Sequence, residues 1–536
     1  MQSPFDNSSD FERRSNDSLD CAALMDAATP LLFQKNAFRI TGLSVDASPR
    51  DVARHADKLK MMAELGALDT LPTGAYALNP QPTEDDIRDA LHRLKDPEKR
   101  VIDEFFWFWP CKFGKSEHDE ALKSLNTGNR AAALKYWAAK ETDPFEGVVA
   151  MHNIAIFWHL AALEHEAHES RFSLSVEDRL ELEGYWKNAF KRWELLADDD
   201  ALWEIVAERC RQLDDARLTT GFLRRMRSSL PEAFDKINGL LAIRCSENGD
   251  FGGARFHVRL MRETHSDLDD VEKTSKQVLK PVKARLEAQI DSAKTRAATS
   301  PTEALNLAHE LLEHAKQARS LFDLFFGKDS HIRNDLLDEV AEACVQLAIS
   351  YHKVAENNKA CLELMRKALA FATAIDLRRR IDTNINTLTG NIAGEKVTPI
   401  YLLLKEIQES SQTPKASLER VRNSVIPLLN SMSPGSNADV VLKELHDNIA
   451  VVLRGIAIDA WNDHQDKTTA VNAARLGIEI VRDGEFKQQL LQDLNTLSAM
   501  QTPSQNAATG CLAQIGGYIL VFVFIGVFGA IMDGCN

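Results

Sequence analysis

Residues 152–169 hold His152, His159, His165 and His168 together with Glu164, Glu166 and Glu169. Imidazole and carboxylate are ligands that zinc and iron accept, and the same pair can pass a proton in acid–base catalysis. A metal needs at least three of them to converge. At 100° per residue, His152 and His159 share one helical face, His168 lies half a turn from His159, and only His165 and His168 form a second near pair. Ile154, Ile156, Phe157, Trp158 and Leu160 flank the first two. That spacing predicts core histidines and leaves His165 and His168 as the residual metal candidates of a helical enzyme.

Other chemistry is sparse. There is no phosphate-binding loop, no dinucleotide glycine pattern and no Gly-x-Ser-x-Gly elbow. The Asp-Phe-Gly at residues 250–252 lacks the glycine-rich and catalytic-loop companions of a kinase. The eight cysteines are scattered without a CxxC pair, the pattern of reduced thiols. The expectation is a non-enzyme without a cofactor.

The elements that position these side chains are helical. With 44% hydrophobic and 27% charged residues, the 536-residue chain is composed like a folded globular protein. Apolar residues recur at three- and four-residue spacing through residues 116–499, as in Leu336, Val340, Leu347, Tyr351, then Leu362, Met365, Leu369, Ala372. The fold class is therefore all-α. Helix breaks are expected at 142–144, 229–231, 300–301, 412–414 and 433–437, where Pro, Ser, Thr or Asp cluster. Residues 1–35 begin polar and acidic without the apolar run of an export signal, and are expected to be a disordered N-terminal segment. A net charge of −15, with no basic stripe interleaved with aromatics, argues against nucleic acid as a partner.

Residues 512–532 read LAQIGGYILVFVFIGVFGAIM. As a helix they span about 31 Å, the thickness of a bilayer core, and predict one transmembrane helix at the C-terminal end of the chain. Residues 500–511 are its linker. The bulk of the chain is then expected on the cytoplasmic side, or at the inner membrane if the source is bacterial. Ala513 with Gly517 and Gly526 with Ala530 have the small-residue spacing that lets membrane helices approach, but the two pairs face apart. Oligomerisation through either end is open and not specified.

Residues 36–59 (NAFRITGLSVDASPRDVARHADKL) and 83–106 (TEDDIRDALHRLKDPEKRVIDEFF) carry an aromatic and Gly-Leu before a Ser-led helix entry, a helix with a basic ridge, and Asp-Pro-Glu-Lys-Arg after the last helix. This arrangement resembles a J-domain over residues 36–110. The resemblance implies that the ridge of Arg50, Arg54 and Lys58 contacts a partner, in J-domains the seventy-kilodalton heat-shock ATPase. The His-Pro-Asp tripeptide that stimulates that ATPase is missing, so the resemblance is to a degenerate J-like domain. The aromatic run 105–110 (FFWFWP) requires cover on at least two sides, expected from the helices that follow.

Within residues 116–499, four stretches resemble tetratricopeptide-like helical hairpins: Gly128-Asn129 with Ala133 and Trp137; Leu241-Ala242, Cys245, Gly249-Asp250, Ala254 and Val258; Leu347-Ala348, Tyr351, Ala360 and Leu364; and Trp461, Ala470 and Ala474. They lie about a hundred residues apart, not at the tandem period of about 34, which implies an irregular α-solenoid. The expected function is a membrane-tethered scaffold or adaptor, related to co-chaperones, that recruits other proteins to the cytosolic membrane face. The alternatives are a metal-dependent enzyme built on residues 152–169 and a co-chaperone acting without the tripeptide.

Overall fold

Helices begin where the sequence offers a side chain to hold the first free N–H groups. In the computed structural model, which describes residues 20–64, 76–168, 174–263, 268–432 and 438–500, every regular element among those residues is helical. Asn36 caps α2 (Ala37–Thr41), which follows α1 (Ala22–Ala27), and Gly42 ends it in the left-handed region at φ 69°. Ser48 and Asp51 exchange hydrogen bonds at the entry of α3 (Pro49–Glu64). Thr83 and Asp86 form the full reciprocal box before α4 (Glu84–Lys95). Asp96 caps α5 (Pro97–Phe105), with Pro97 at its first position.

The chain divides into two units, Met1–Thr383 and Asn384–Asn536. In the first, α6 (Glu120–Asn126), α7 (Arg130–Lys140), α8 (Gly147–His168), α9 (Val176–Asp198), α10 (Asp200–Leu213), α11 (Thr220–Glu247) and α12 (Phe251–Glu263) share one hydrophobic core with α1–α5, running from Cys21 to Leu260. The 105–110 run lies at its centre. Phe105 stacks on Trp193 and Trp203 at 5.6 and 5.7 Å, Phe106 meets Phe234, and Phe108 stacks on Trp137 at 5.3 Å. Phe105, Phe106 and Phe108 thus pack against α7, α9, α10 and α11. Among the described residues, α8 is the one helix long and apolar enough to cross a membrane, yet 72% of that apolar window is buried within the protein.

Two expectations change. Residues 20–35, expected within a disordered segment, are ordered: Leu24, Leu32 and Phe33 enter the core, and the Cys21 N–H donates to Ser229 Oγ at 3.0 Å. The acidic character that suggested disorder belongs to residues before these. The break expected at 229–231 lies inside α11, which carries Pro231 in its interior. Burial of Leu230, Ala233 and Phe234 outweighs the roughly 3 kcal/mol a helical proline costs. The breaks at 142–144 and 300–301 fall between α-helices, that at 412–414 ends on the first residue of the helix Pro414–Arg420, and 433–437 lies outside the described residues.

The first unit continues through α13 (Leu268–Thr299), α14 (Ala304–Phe326), α15 (His331–Ala355), α16 (Asn358–Leu369) and the start of α17 (Ile375–Glu409). The second holds the rest of α17, α18 (Pro414–Arg420), α19 (Ile426–Asn430), α20 (Ala438–Asn462), α21 (Lys467–Ile480) and α22 (Gly484–Ala499) around its own core of residues such as Ile400, Leu445 and Leu453.

One turn recurs. Gly128, Gly249, Glu356 and Gln465 each adopt positive φ. The residue after each, Asn129, Asp250, Asn357 or Asp466, accepts the N–H three positions on through its side chain. One position further, Ala133, Ala254, Cys361 or Ala470 is buried. The last two turns belong to a longer repeat. An offset of 109 residues carries Asp338 to Asp447, Asn357 to Asp466 and Thr373 to Arg482. Asp338 accepts the N–H groups of Thr373 and Ala374, and Asp447 accepts those of Arg482 and Asp483. The same offset pairs the buried Leu336 with Leu445, Val340 with Ile449, Cys344 with Leu453 and Ile381 with Leu490. Two three-helix modules, α15–α16–α17 and α20–α21–α22, therefore have the same internal construction.

Candidate functional site

The last turns of α8 meet the hairpin of α11 and α12. Gly249 at φ 81° makes the sharp turn between those helices, and Asp250 caps α12 by accepting the Gly253 N–H at 3.0 Å. This sets Cys245 near the end of α11 opposite His257 on α12, with Glu166 arriving from α8. Their ligand atoms lie within 4.8 Å of one another, and all three residues are buried.

The hydrogen bonds fix the imidazole. Asn238 Nδ2 donates to the Phe234 carbonyl at 2.9 Å, so its Oδ1 is free to accept from His257 Nδ1 at 2.9 Å. His257 Nε2 then faces Glu166 Oε1 at 2.8 Å, with a proton on the axis between them. The other carboxylate oxygen of Glu166 accepts from Arg244 Nη2 at 3.2 Å. Burial resists charge on Glu166, but His257 and Arg244 hold its carboxyl below the usual range. The Cys245 thiol is pushed up to about 12 by burial and by the carboxylates of Glu166 and Asp250. A soft sulfur, an oriented imidazole and a carboxylate are the donor types of a zinc-class cation.

The approach of α12 to α11 depends on Gly253. A Cβ there would lie 2.4 Å from Asp250 Oδ2 and 3.0 Å from Cys245 Sγ, and Asp250 is held by Arg179 Nη2 at 2.6 Å. Gly253→Ala is expected to destabilise the first unit by about 1–3 kcal/mol through overpacking, although alanine is the better helix former. A denaturation midpoint at or above that of the parent chain would contradict the tight approach.

His152 and His159 are core residues, as their spacing indicated. His165 is half-buried, with its ring 6.2 Å from that of Tyr185, and takes no part in the cluster. His168 ends α8, and its side chain is outside the described residues. Sequence spacing drew attention to Glu166 but missed its partners, since His257 is 91 residues away. The available signal was the Gly249-Asp250 turn, which brings Cys245 and His257 together across a hairpin. Arg50, Arg54 and Lys58 are exposed on α3 opposite the buried Val52 and Leu59, and Arg54 pairs with Asp51. Ala513, Gly517, Gly526 and Ala530, with the whole of 512–532, lie outside the described residues.

Comparison with protein-family models, with curated proteins and with solved structures returned no match.

Proposed function

We propose that this chain is a membrane-tethered helical scaffold, whose folded body binds other proteins and whose residues 512–532 hold it to a membrane as a C-terminal anchor. The observation that carries the reading is the 109-residue repeat of a three-helix module. Repeated helical modules are built from local contacts and present the same side chains again at each copy, the property that protein-binding solenoids use. Ile349 and Ile458 occupy the same position in the two modules, and both are exposed, at 39% and 38%. Large aliphatics kept at the surface in both copies fit a protein partner.

Further support comes from the described cysteines, Cys21, Cys111, Cys210, Cys245, Cys344 and Cys361, all free thiols as in a reducing compartment. The J-like reading of residues 36–110 rests on the sequence resemblance, and under it the exposed Arg50, Arg54 and Lys58 would meet a heat-shock ATPase. The unbroken apolarity of 512–532 supports the anchor.

Crosslinking and co-purification of the full chain, in detergent, against a version ending at Gly510 tests both halves of the proposal. The expected result is the same captured proteins with both forms, and membrane sedimentation of the full chain alone. Capture only with the full chain would transfer binding to residues 511–536 and end the proposal for the body. Sedimentation of both forms alike would end it for the anchor.

A further inference from the structure

We infer that Glu166, Cys245 and His257 form a binding site for one divalent transition-metal ion of the zinc class, clamping α8 to the α11–α12 hairpin. Three donors from three helices converge, with their ligand atoms within 4.8 Å of one another. A four-coordinate zinc ion with bonds of about 2.0–2.3 Å places its ligand atoms about 3.3–3.8 Å apart. As the ion enters, the 2.8 Å His257–Glu166 contact opens by about half an ångström, and a pair at the 4.8 Å limit closes by about 1 Å.

The independent observation is the outer set of contacts. Metal-bound histidines characteristically donate their other ring nitrogen to a fixed acceptor, which sets the tautomer and aims the lone pair. His257 does this through Nδ1 to Asn238 Oδ1, and Asn238 is itself 1% exposed and tied to the Phe234 carbonyl. Glu166 is likewise held at Oε2 by Arg244, leaving Oε1 turned to the imidazole. The charge balances. On binding, the Cys245 thiol proton and the proton on the Nε2–Oε1 axis pass to solvent, and the dication takes their place.

The test uses the full chain in detergent, with Cys111, Cys511 and Cys535 changed to serine so that only the buried thiols Cys21, Cys210, Cys245, Cys344 and Cys361 remain. Cobalt(II) is added to the chelator-stripped protein, and zinc affinity is read by competition with a chromophoric chelator. One equivalent of cobalt is expected, with a sulfur-to-cobalt charge-transfer band in the near ultraviolet that zinc abolishes. Cys245→Ser removes the band. Asn238→Ala keeps the three ligands but weakens zinc binding 10- to 100-fold. Cys344→Ser, at a buried thiol outside the cluster, changes neither readout. Absence of the band from the parent protein, which needs no core variant to fold, overturns the inference. So does a Cys245→Ser protein that retains the band, or an Asn238→Ala protein that binds zinc as tightly as the parent.

Discussion

Glu104→Ala is expected to destabilise the first unit by about 3–5 kcal/mol, the usual consequence of leaving a buried partner charge uncompensated. The Glu104 side chain is 3% exposed and that of Arg209 is 10% exposed. Arg209 Nε donates to Glu104 Oε1 at 2.5 Å, and its Nη2 donates to Glu104 Oε2 at 3.4 Å and to the Val45 carbonyl at 3.3 Å. The guanidinium also lies 4.6 Å over the Phe113 ring. Burial pushes the Glu104 carboxyl up, opposed by the hydrogen bond and charge of Arg209. The ion pair joins α5 to α10, so its loss strikes the packing of those two helices. Glu104→Leu combined with Arg209→Met is expected to cost less than Glu104→Ala alone, because Arg209 is then not left buried without its partner. Denaturation midpoints followed by near-ultraviolet circular dichroism measure both; a Glu104→Ala loss below about 1 kcal/mol, the scale of an exposed pair, would contradict a desolvated one.

The second large effect is in acid. His159 is completely buried among Phe33, Trp186, Phe190, Trp193 and Phe234, at ring distances of 5.2 to 6.4 Å. Neither ring nitrogen makes a hydrogen bond. Burial lowers its pKa from 6.5 to about 3. The unfolded chain therefore takes up a proton near pH 6.5 that the folded chain refuses until about pH 3. The neutral ring's contribution is complete above pH 6.5 and is lost as pH falls toward 3. At 1.36 kcal/mol per unit, two units of acidification from pH 6.5 remove about 2–3 kcal/mol. His152, which meets the Phe105 carbonyl at 2.8 Å, is lowered to about 4 and acts in the same direction.

Asp103 and Glu104, whose carboxyls are raised chiefly by burial, act in the opposite direction. The histidine contribution is therefore best read as a difference between two proteins. His159→Phe is expected to fold, to match or exceed the parent at pH 7 because two unpaired nitrogens are gone, and to lose about 2–3 kcal/mol less than the parent between pH 6.5 and 4.5. Equal acid slopes for the two proteins would mean that His159 is protonated in the folded state.

What the sequence made legible is local. The Thr83–Asp86 box, the Asp96-Pro97 start and the buried face of α3 depend on neighbours three or four residues away, and each stands where the pattern placed it. The aromatic run demanded burial on several sides, and α7 and α9–α11 provide it. Long-range pairing was not legible. Glu166 finds Cys245 and His257 only because a left-handed glycine turns α11 back on α12, and Pro231 stays helical only because Leu230 and Phe234 are buried around it. The pairing of the two modules was likewise illegible: 347–364 and 461–474 resemble helical hairpins only separately. Their kinship rests on the bonds of Asp338 and Asp447 and on matched burial, which tolerates exchanges such as Cys344 for Leu453.

The most direct test of a protein-binding body is capture by the chain ending at Gly510 compared with the same chain carrying Ile349→Glu and Ile458→Glu. Both side chains are exposed, so the folded modules tolerate the change, and circular dichroism should be unaltered. The scaffold account predicts a partner retained at a fixed ratio by the parent body, crosslinked through module lysines such as Lys359 and Lys467, and reduced at least about tenfold by the paired substitution, equivalent to about 1.4 kcal/mol of binding. A body that retains no protein above the level of an unrelated helical control, or one whose partner is held equally after both substitutions, would contradict it.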